Sequence, residues 1–366
     1  MTGLLTACSR TDAGYSSDAS VVLSDDTSAA DDAAAPVLRS DVGHKDTLTI
    51  ALTGDILMGT TYPAERLPAD DGRRLFDDAA AILAGADIAV GNLEGTLCCA
   101  DTTKKKLSRV SYAFCTPPAY AGRLADAGYD FVSVANNHAF DFGIKGVIST
   151  ERALDSVGVR YAGISGRTET AVIVRNGVRY GLCAFGHDGY TLSVNDTVRA
   201  AAVIDNLRRN VDILIVSFHG GGEGVAYRHL PDSTEIFLRE NRGYLRSFAR
   251  MCIDHGADIV YGHGPHVVRC VELYKDRFIA YSLGNFCTPY GINVKGVAGL
   301  APIITVRTDA AGAFIDAHIH SLRQTYGIGP RTDTANGAAR QIRSLTLADI
   351  DDSRLTVGLD GDIKRK

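Results

Sequence analysis

Five stretches of the chain place side chains able to bind a cation or move a proton directly after short apolar runs. The densest is SVANNHAFDFG, residues 133–143, with Asn136, Asn137, His138 and Asp141. Asp55 follows LTIALTG, Asn92 and Glu94 follow DIAVG, His219 follows LIVSF with Glu223 shortly after, and His263 and His266 follow DIVYG. One such residue has an ordinary use, since Asn136 or Asn137 would cap a helix starting near Ile144. Five strand ends delivering Asp, Glu, Asn and His to one sheet edge point elsewhere, because ligands of open α/β sheets bind at that edge. The donors form a mixed oxygen and nitrogen set, which suits Mn²⁺, Fe or Zn²⁺ better than Ca²⁺. They exceed the needs of one ion, and two ions about 3.5–4 Å apart would use them all.

Elements that could position these residues are legible from periodicity. Short β-branched and aromatic runs predict strands over 47–52, 87–91, 129–135, 170–175, 178–186, 212–218, 258–263, 269–274, 277–283, 300–307 and 313–321. Helical spacing predicts helices over 72–86, 118–128, 145–158, 197–210 and 235–256, several ending in Gly. The alternation argues an α/β domain with crossover helices that turns antiparallel after His266. No repeat or linker interrupts residues 46–323, so one large domain with two packed sheets is expected. Residues 324–366 read as an irregular, polar surface tail.

With 38 basic and 43 acidic residues, the 366-residue chain has a net charge of −5 and no basic stripe to track a nucleic acid. Leu5, Thr6 and Ala7 before Cys8 resemble the lipobox of bacterial lipoproteins, in which the cysteine is acylated. Residues 1–8 are therefore expected to be the remnant of a lipoprotein signal. Residues 9–45, rich in Ser, Asp, Ala and Thr, read as a disordered tether. The expectation is an exported protein, anchored by lipid at the cell envelope. In that compartment a loop disulfide between Cys115 and either Cys98 or Cys99 is compatible with the spacing, while Cys183, Cys252, Cys270 and Cys287 read as buried apolar residues.

The series GDILMG, GNLEG, NNHAFDFG, HGGGEG, GHGPHV and YSLGNF resembles the CapA/PgsA capsule synthesis family, the poly-γ-glutamate capsule proteins of the calcineurin-like metallophosphoesterase superfamily. The resemblance runs from Leu48 to about Ser321. It implies a four-layer αββα sandwich of two mixed β-sheets flanked by helices, with two metals at one end. It also implies that Asp55 and His266 serve one metal while Asn137, His219 and His263 serve the other. His138 would act on the transferred or leaving group, with Asp141 orienting it. Two positions depart from the superfamily pattern: Leu57 stands where a His is usual, and Asn92 stands where a bridging Asp is usual. Glu94, two residues on, is the better bridge, since a neutral amide cannot offset the repulsion of two dications. Asn92, Asn136, Glu223 and Asn285 are left as supporting or substrate-facing residues. The implied activity is a metal-dependent hydrolase of a phosphoester or polymer amide, working beside membrane capsule synthase subunits. The competing expectation is a non-catalytic envelope scaffold or polymer-binding subunit.

Overall fold

Alternation along the central strands decides the layering. In the strand Thr47–Ile56, Ile50 and Leu52 face one apolar cluster and Ala51 faces another. In Ile213–His219, Ile213 and Ile215 join the first cluster while Leu214 and Val216 join a third. Successive side chains of a strand point to opposite faces, so each sheet shares the first cluster and covers a second with helices. The computed structural model describes residues 46–366 except 104, 106, 109 and 110. Cys8 and the 9–45 segment lie outside the described residues.

The first sheet runs Leu355–Val357, Asp362–Arg365, Phe314–His320, Ile303–Asp309, Thr47–Ile56, Ile88–Leu93, Phe131–Ser133, Arg160–Ala162, with Asn285–Cys287 pairing alongside the end of Thr47–Ile56. The second runs Val271–Tyr274, Arg277–Ala280, Ile259–His263, Ile213–His219, Val178–Phe185, Thr170–Arg175. Both sheets are mixed, with parallel strands carrying the site and antiparallel strands outside them. Helices Ala121–Ala127 and Gly143–Val157 cover the outer face of the first sheet through Leu124 and Leu154. Thr197–Arg208 and Leu245–Asp254 cover the second through Ile204 and Phe248. The result is the expected four-layer αββα sandwich. Truncating a residue between the sheets, such as Ile215, would cost about 2–5 kcal/mol.

Three expectations need correction. Within 72–86 only Ala80–Ala84 is α-helical, and turns precede it. The expected helix over 235–256 is helical only at Leu245–Asp254, because Ile236–Phe237 and Glu240–Asn241 form a hairpin whose turn residues Leu238 and Arg239 have φ of 50° and 70°. Helical spacing of apolar residues did not reveal that turn. The 324–366 segment is ordered rather than irregular. Its helix Gly337–Asp349 buries Ala338, Ala339 and Ile342 against the core between the sheets, and Asp362–Arg365 pairs with Phe314–His320. Small apolar residues such as Ala338 and Ala339 carried too weak a signal to separate this helix from a polar tail. Among the described residues no helix is long and apolar enough to cross a membrane.

Candidate metal centre

Parallel strand ends deliver the polar side chains to one edge by register. Asp55 lies opposite Asn92 on one side and Asn285 on the other, and His219 lies opposite His263. Two glycines permit the close approaches involved. A Cβ on Gly54 would stand 2.0 Å from the Gly284 carbonyl oxygen, the group that accepts the Asp55 N–H at 2.8 Å. Gly264, at φ +110°, would bring a Cβ within 2.4 Å of the Gly220 oxygen, so the loops after His219 and His263 could not nest with a larger residue there.

A row of amides organises the two buried carboxylates. Asn136 Nδ2 donates to Asn92 Oδ1 at 3.1 Å and to the Leu93 carbonyl at 2.8 Å. Asn92 Nδ2 then donates to Asp55 Oδ1 at 2.9 Å and Glu94 Oε2 at 2.7 Å. An amide has two donor hydrogens and an acceptor oxygen, so Asn92 sits between two carboxylates that an aspartate would only repel. Asn136 does not cap the following helix; its Oδ1 accepts the His138 N–H at 3.1 Å. Leu57 is buried and packs near Phe114 and the Gly95 and Gly291 backbones.

Imidazoles surround this row. Asp55 Oδ2 lies 2.9 Å from His266 Nδ1, and Oδ1 lies 3.4 Å from His263 Nδ1. Glu94 Oε2 is 3.2 Å from His219 Nε2, and Oε1 is 4.0 Å from His138 Nε2. Asp55, Glu94 and His219 each offer a ligand atom within 4.8 Å of the others, and all three are buried. The contacts of His219 and His263 lack hydrogen-bond direction, which leaves both nitrogens of both rings without a partner. Glu94 Oε1, Asn137 Oδ1 and Asn285 Oδ1 are likewise buried and unpartnered. Buried polar atoms in native proteins are nearly always satisfied. This donor set fits divalent transition metal ions, which would take up those lone pairs. His266 reaches the site from a left-handed backbone, φ 55°, uncommon for a residue with a side chain.

Charge and burial compete within the cluster. Burial opposes ionisation of Asp55, but contact with His263 and His266 holds its carboxyl well below the usual range. Burial likewise opposes ionisation of Glu94, and the charge of His219 and its contact bring that carboxyl to about 2. Burial pushes His263 down. For His266 burial is outweighed by Asp55, which raises the imidazole to about 9. Bound cations would replace these imidazole–carboxylate contacts with ligand bonds.

His138 stands at the margin between the cluster and a cleft of about 650 Å³. Its Nδ1 is 2.8 Å from Asp141 Oδ2, which also accepts the Phe114 N–H at 2.8 Å. Lys105 Nζ pairs with Asp141 Oδ1 and donates to the Asn137 carbonyl at 3.2 Å. Glu223 lines the cleft instead of joining the cluster and pairs with Arg242 Nη1 at 3.0 Å. Asn285 Nδ2 donates to the carbonyls of His266 and Ala298, both at 3.0 Å, so it braces the His266 loop.

Four residues in the cleft were missed from sequence: Lys105, His187, Asp188 and Arg242. His187 follows the strand Val178–Phe185, stacks on His219 with ring centroids 5.7 Å apart, and is pushed down to about 3 by burial. The strand-end rule that found His219 would have found it. Burial also raises the Asp188 carboxyl, and its Oδ2 is unpartnered. Lys105 sits in a loop with no periodic signal, and Arg242 in a loop whose surrounding spacing predicts a helix.

Fold and cluster together define a two-sheet α/β sandwich with a carboxylate and imidazole centre at its parallel strand ends. The family described as bacterial capsule synthesis protein PGA_cap matches residues 49–290, and the chain belongs to that family. It is 28% identical over 261 residues to the PGA biosynthesis protein CapA of Bacillus subtilis, covering 67% of this chain and 64% of that protein. It is 27% identical over 278 residues to the capsule biosynthesis protein CapA of Bacillus anthracis, covering 71% and 64%. The chain thus spans under two thirds of both relatives. A protein of Mycobacterium tuberculosis named "Probable polyglutamine synthesis accessory protein" is 26% identical over 349 residues, with 77% and 86% covered. Among solved structures, the NAD nucleotidase of Haemophilus influenzae matches with TM-score 0.42 at 9% identity, covering 82% of this chain and 56% of that one. A 5'-nucleotidase precursor of Thermus thermophilus matches with TM-score 0.41 at 16% identity, covering 82% and 59%.

Proposed function

We propose that this chain is a metal-dependent hydrolase that cleaves a phosphoester or a polymer amide in cell-surface polymer synthesis or processing. The observation that carries the reading is the set of buried, unpartnered ligand atoms on Glu94, Asn137, His219 and His263 beside Asp55. Asp55, Glu94, Asn137, His219, His263 and His266 would hold the ions, Mn, Fe or Zn. Divalent ions bound there would lend Lewis acidity to a phosphoryl or carbonyl oxygen.

The remaining steps belong to the chain. Asp141 accepts the hydrogen bond of His138 Nδ1, which leaves Nε2 as the atom that passes a proton to the leaving group. Lys105 balances the Asp141 carboxylate, and Arg242, which lines the same cleft, is itself paired with Glu223 and Glu240. Kinship with the two Bacillus CapA proteins, named for PGA and capsule biosynthesis, supports a surface polymer as the setting. In this reading Cys8 is acylated and anchors the protein at the envelope, beside membrane synthase subunits.

The second reading is a non-catalytic scaffold or polymer-binding subunit, and it draws on Asn92 and Leu57, which depart from the superfamily pattern. Metal analysis of the purified full chain, with hydrolysis of bis-p-nitrophenyl phosphate and a γ-glutamyl amide, separates the two. We expect bound Mn, Fe or Zn, lost in His219→Ala but kept in His138→Ala, with turnover lost in both. Metal without turnover of either substrate class by the wild type would favour the scaffold. A wild type devoid of transition metal after growth in supplemented medium would sink the metal centre.

A further inference from the structure

Away from the metal centre, Cys98 and Cys115 bring two sulfur nucleophiles into contact. Their Sγ atoms stand 2.8 Å apart, inside the contact distance of two unbonded sulfurs, and both residues are buried thiols. Cys99, the other candidate for Cys115, is exposed. The backbone explains the selection. Thr96–Leu97 and Cys115–Thr116 form a short parallel ladder with Thr96 opposite Cys115, and the Cys98 N–H donates to the Thr116 carbonyl at 2.9 Å. Side chains alternate along such a ladder, so Cys98 turns inward to Cys115 while Cys99 turns out. A disulfide needs about 2.05 Å between sulfurs, a small adjustment from this arrangement.

The pair abuts the arm that holds the His138 and Asp141 pair. Phe114, next to Cys115, donates its N–H to Asp141 Oδ2 and lays its ring 4.5 Å from that of His138. Thr96 Oγ1 lies 3.2 Å from Cys98 Sγ and donates to the Phe114 carbonyl at 2.9 Å. The 17-residue separation of the cysteines spans the loop that brings Lys105 and Tyr112 to the cleft.

We propose that Cys98 and Cys115 form a disulfide, closed during folding by exchange with an external disulfide such as oxidised glutathione, and that this bond fixes Phe114 against His138 and Asp141. In the folding chain the thiolate of Cys115 makes the first attack, before burial removes it from solvent. It attacks one sulfur of the external disulfide, forms a mixed disulfide and expels one thiolate. Cys98 loses its proton, attacks the Cys115 sulfur and expels the second. Two protein thiols are oxidised to one S–S bond, and the external disulfide is reduced to two thiols that take up the two protons. Because both cysteines are buried in the folded protein, the exchange belongs to the folding chain. The inference stands whether or not the metal centre is catalytic.

The test is to refold the full chain in glutathione buffers of graded redox poise, alkylate the free thiols, and sequence the non-reduced peptides by mass spectrometry. A peptide pair linked through Cys98 and Cys115, persisting in Cys99→Ser, is the expected result. The linked protein should melt about 5 °C above the reduced protein. Its Phe114 amide should exchange about tenfold more slowly. Alkylation of both cysteines even in fully oxidised glutathione, or a Cys115 linkage that survives Cys98→Ser, overturns the disulfide. A linkage that leaves Phe114 exchange unchanged overturns the clamp. Neither mapping step depends on a cysteine-free variant folding, since the wild type supplies both measurements.

Discussion

Two buried charged clusters lie close together in this protein, and they differ in how completely they satisfy themselves. Arg269 is fully buried. It places Nη1 2.8 Å from Glu235 Oε1 and Nη2 2.7 Å from Oε2, and donates through Nε and Nη2 to the Tyr227 carbonyl. Glu235 Oε2 also accepts the Gly222 N–H at 3.0 Å, so the pair ties down the loop that follows His219. Neither residue leaves a buried polar atom unpartnered. The candidate metal centre is as buried, yet the nitrogens of His219 and His263 and one oxygen each of Glu94 and Asn137 have no partner. Burial of charge is common to both. The second cluster leaves donor atoms open to a group from outside the chain, since an unmade buried hydrogen bond costs about 1–3 kcal/mol per group. Self-sufficiency, and not burial or charge, separates architecture from a binding centre here.

The largest expected effect falls on the open cluster. His138→Ala should lower turnover about 10²–10⁴-fold while metal content, read by elemental analysis, stays at the wild-type value. Loss of metal together with turnover would instead make His138 a ligand. On the closed cluster, Arg269→Ala should cost about 3–5 kcal/mol in denaturant unfolding, because Glu235 is left buried and unpaired. The folded fraction should still bind its metal, and a variant as stable as wild type would dissolve the contrast. Removing metal with a chelator sharpens it from the other side. Stability should fall by about 3–4 kcal/mol relative to protein with metal at 100–1,000 times its Kd, and Arg269→Ala should show the same decrement.

The smallest effect, taken per pH unit, concerns His187. His187 is pushed down to about 3 by burial beside His219 and Arg242, so it stays neutral when folded and takes up a proton on unfolding below its ordinary value. The unfolded state then binds the extra proton, and stability present above about pH 6.5 declines as pH falls toward 3, by at most about 1.4 kcal/mol per unit. Thermal melts of His187→Asn should show a shallower acid limb than wild type. An identical limb would mean that His187 is solvated.

Much of this was legible because strands and strand ends leave local marks. The runs before Asp55, Asn92, Asn136, His219 and His263 are apolar and β-branched, and each turns polar where the sheet ends. His187 obeys the same rule and was missed only because GHDG belongs to none of the resembling motifs. The hairpin at 236–241 and the helix Gly337–Asp349 were lost for a different reason: the first mimics helical spacing, and the second buries small residues that look polar in sum. Lys105 and Arg242 come from loops, where position depends on what the loop packs against.

The sequence by itself determined the alternation that makes two sheets and the residue types at their parallel ends, because both follow from local periodicity and from where each apolar run stops. Tertiary structure alone decided that His266 meets Asp55 across 211 positions, and that Asn92 donates to two carboxylates in place of bridging ions. It also chose Cys98 over Cys99 as the neighbour of Cys115. Those outcomes rest on how the two sheets stack and how loops from distant segments nest over their edge. Such packing is set by the summed contacts of the whole chain, and no local stretch encodes it.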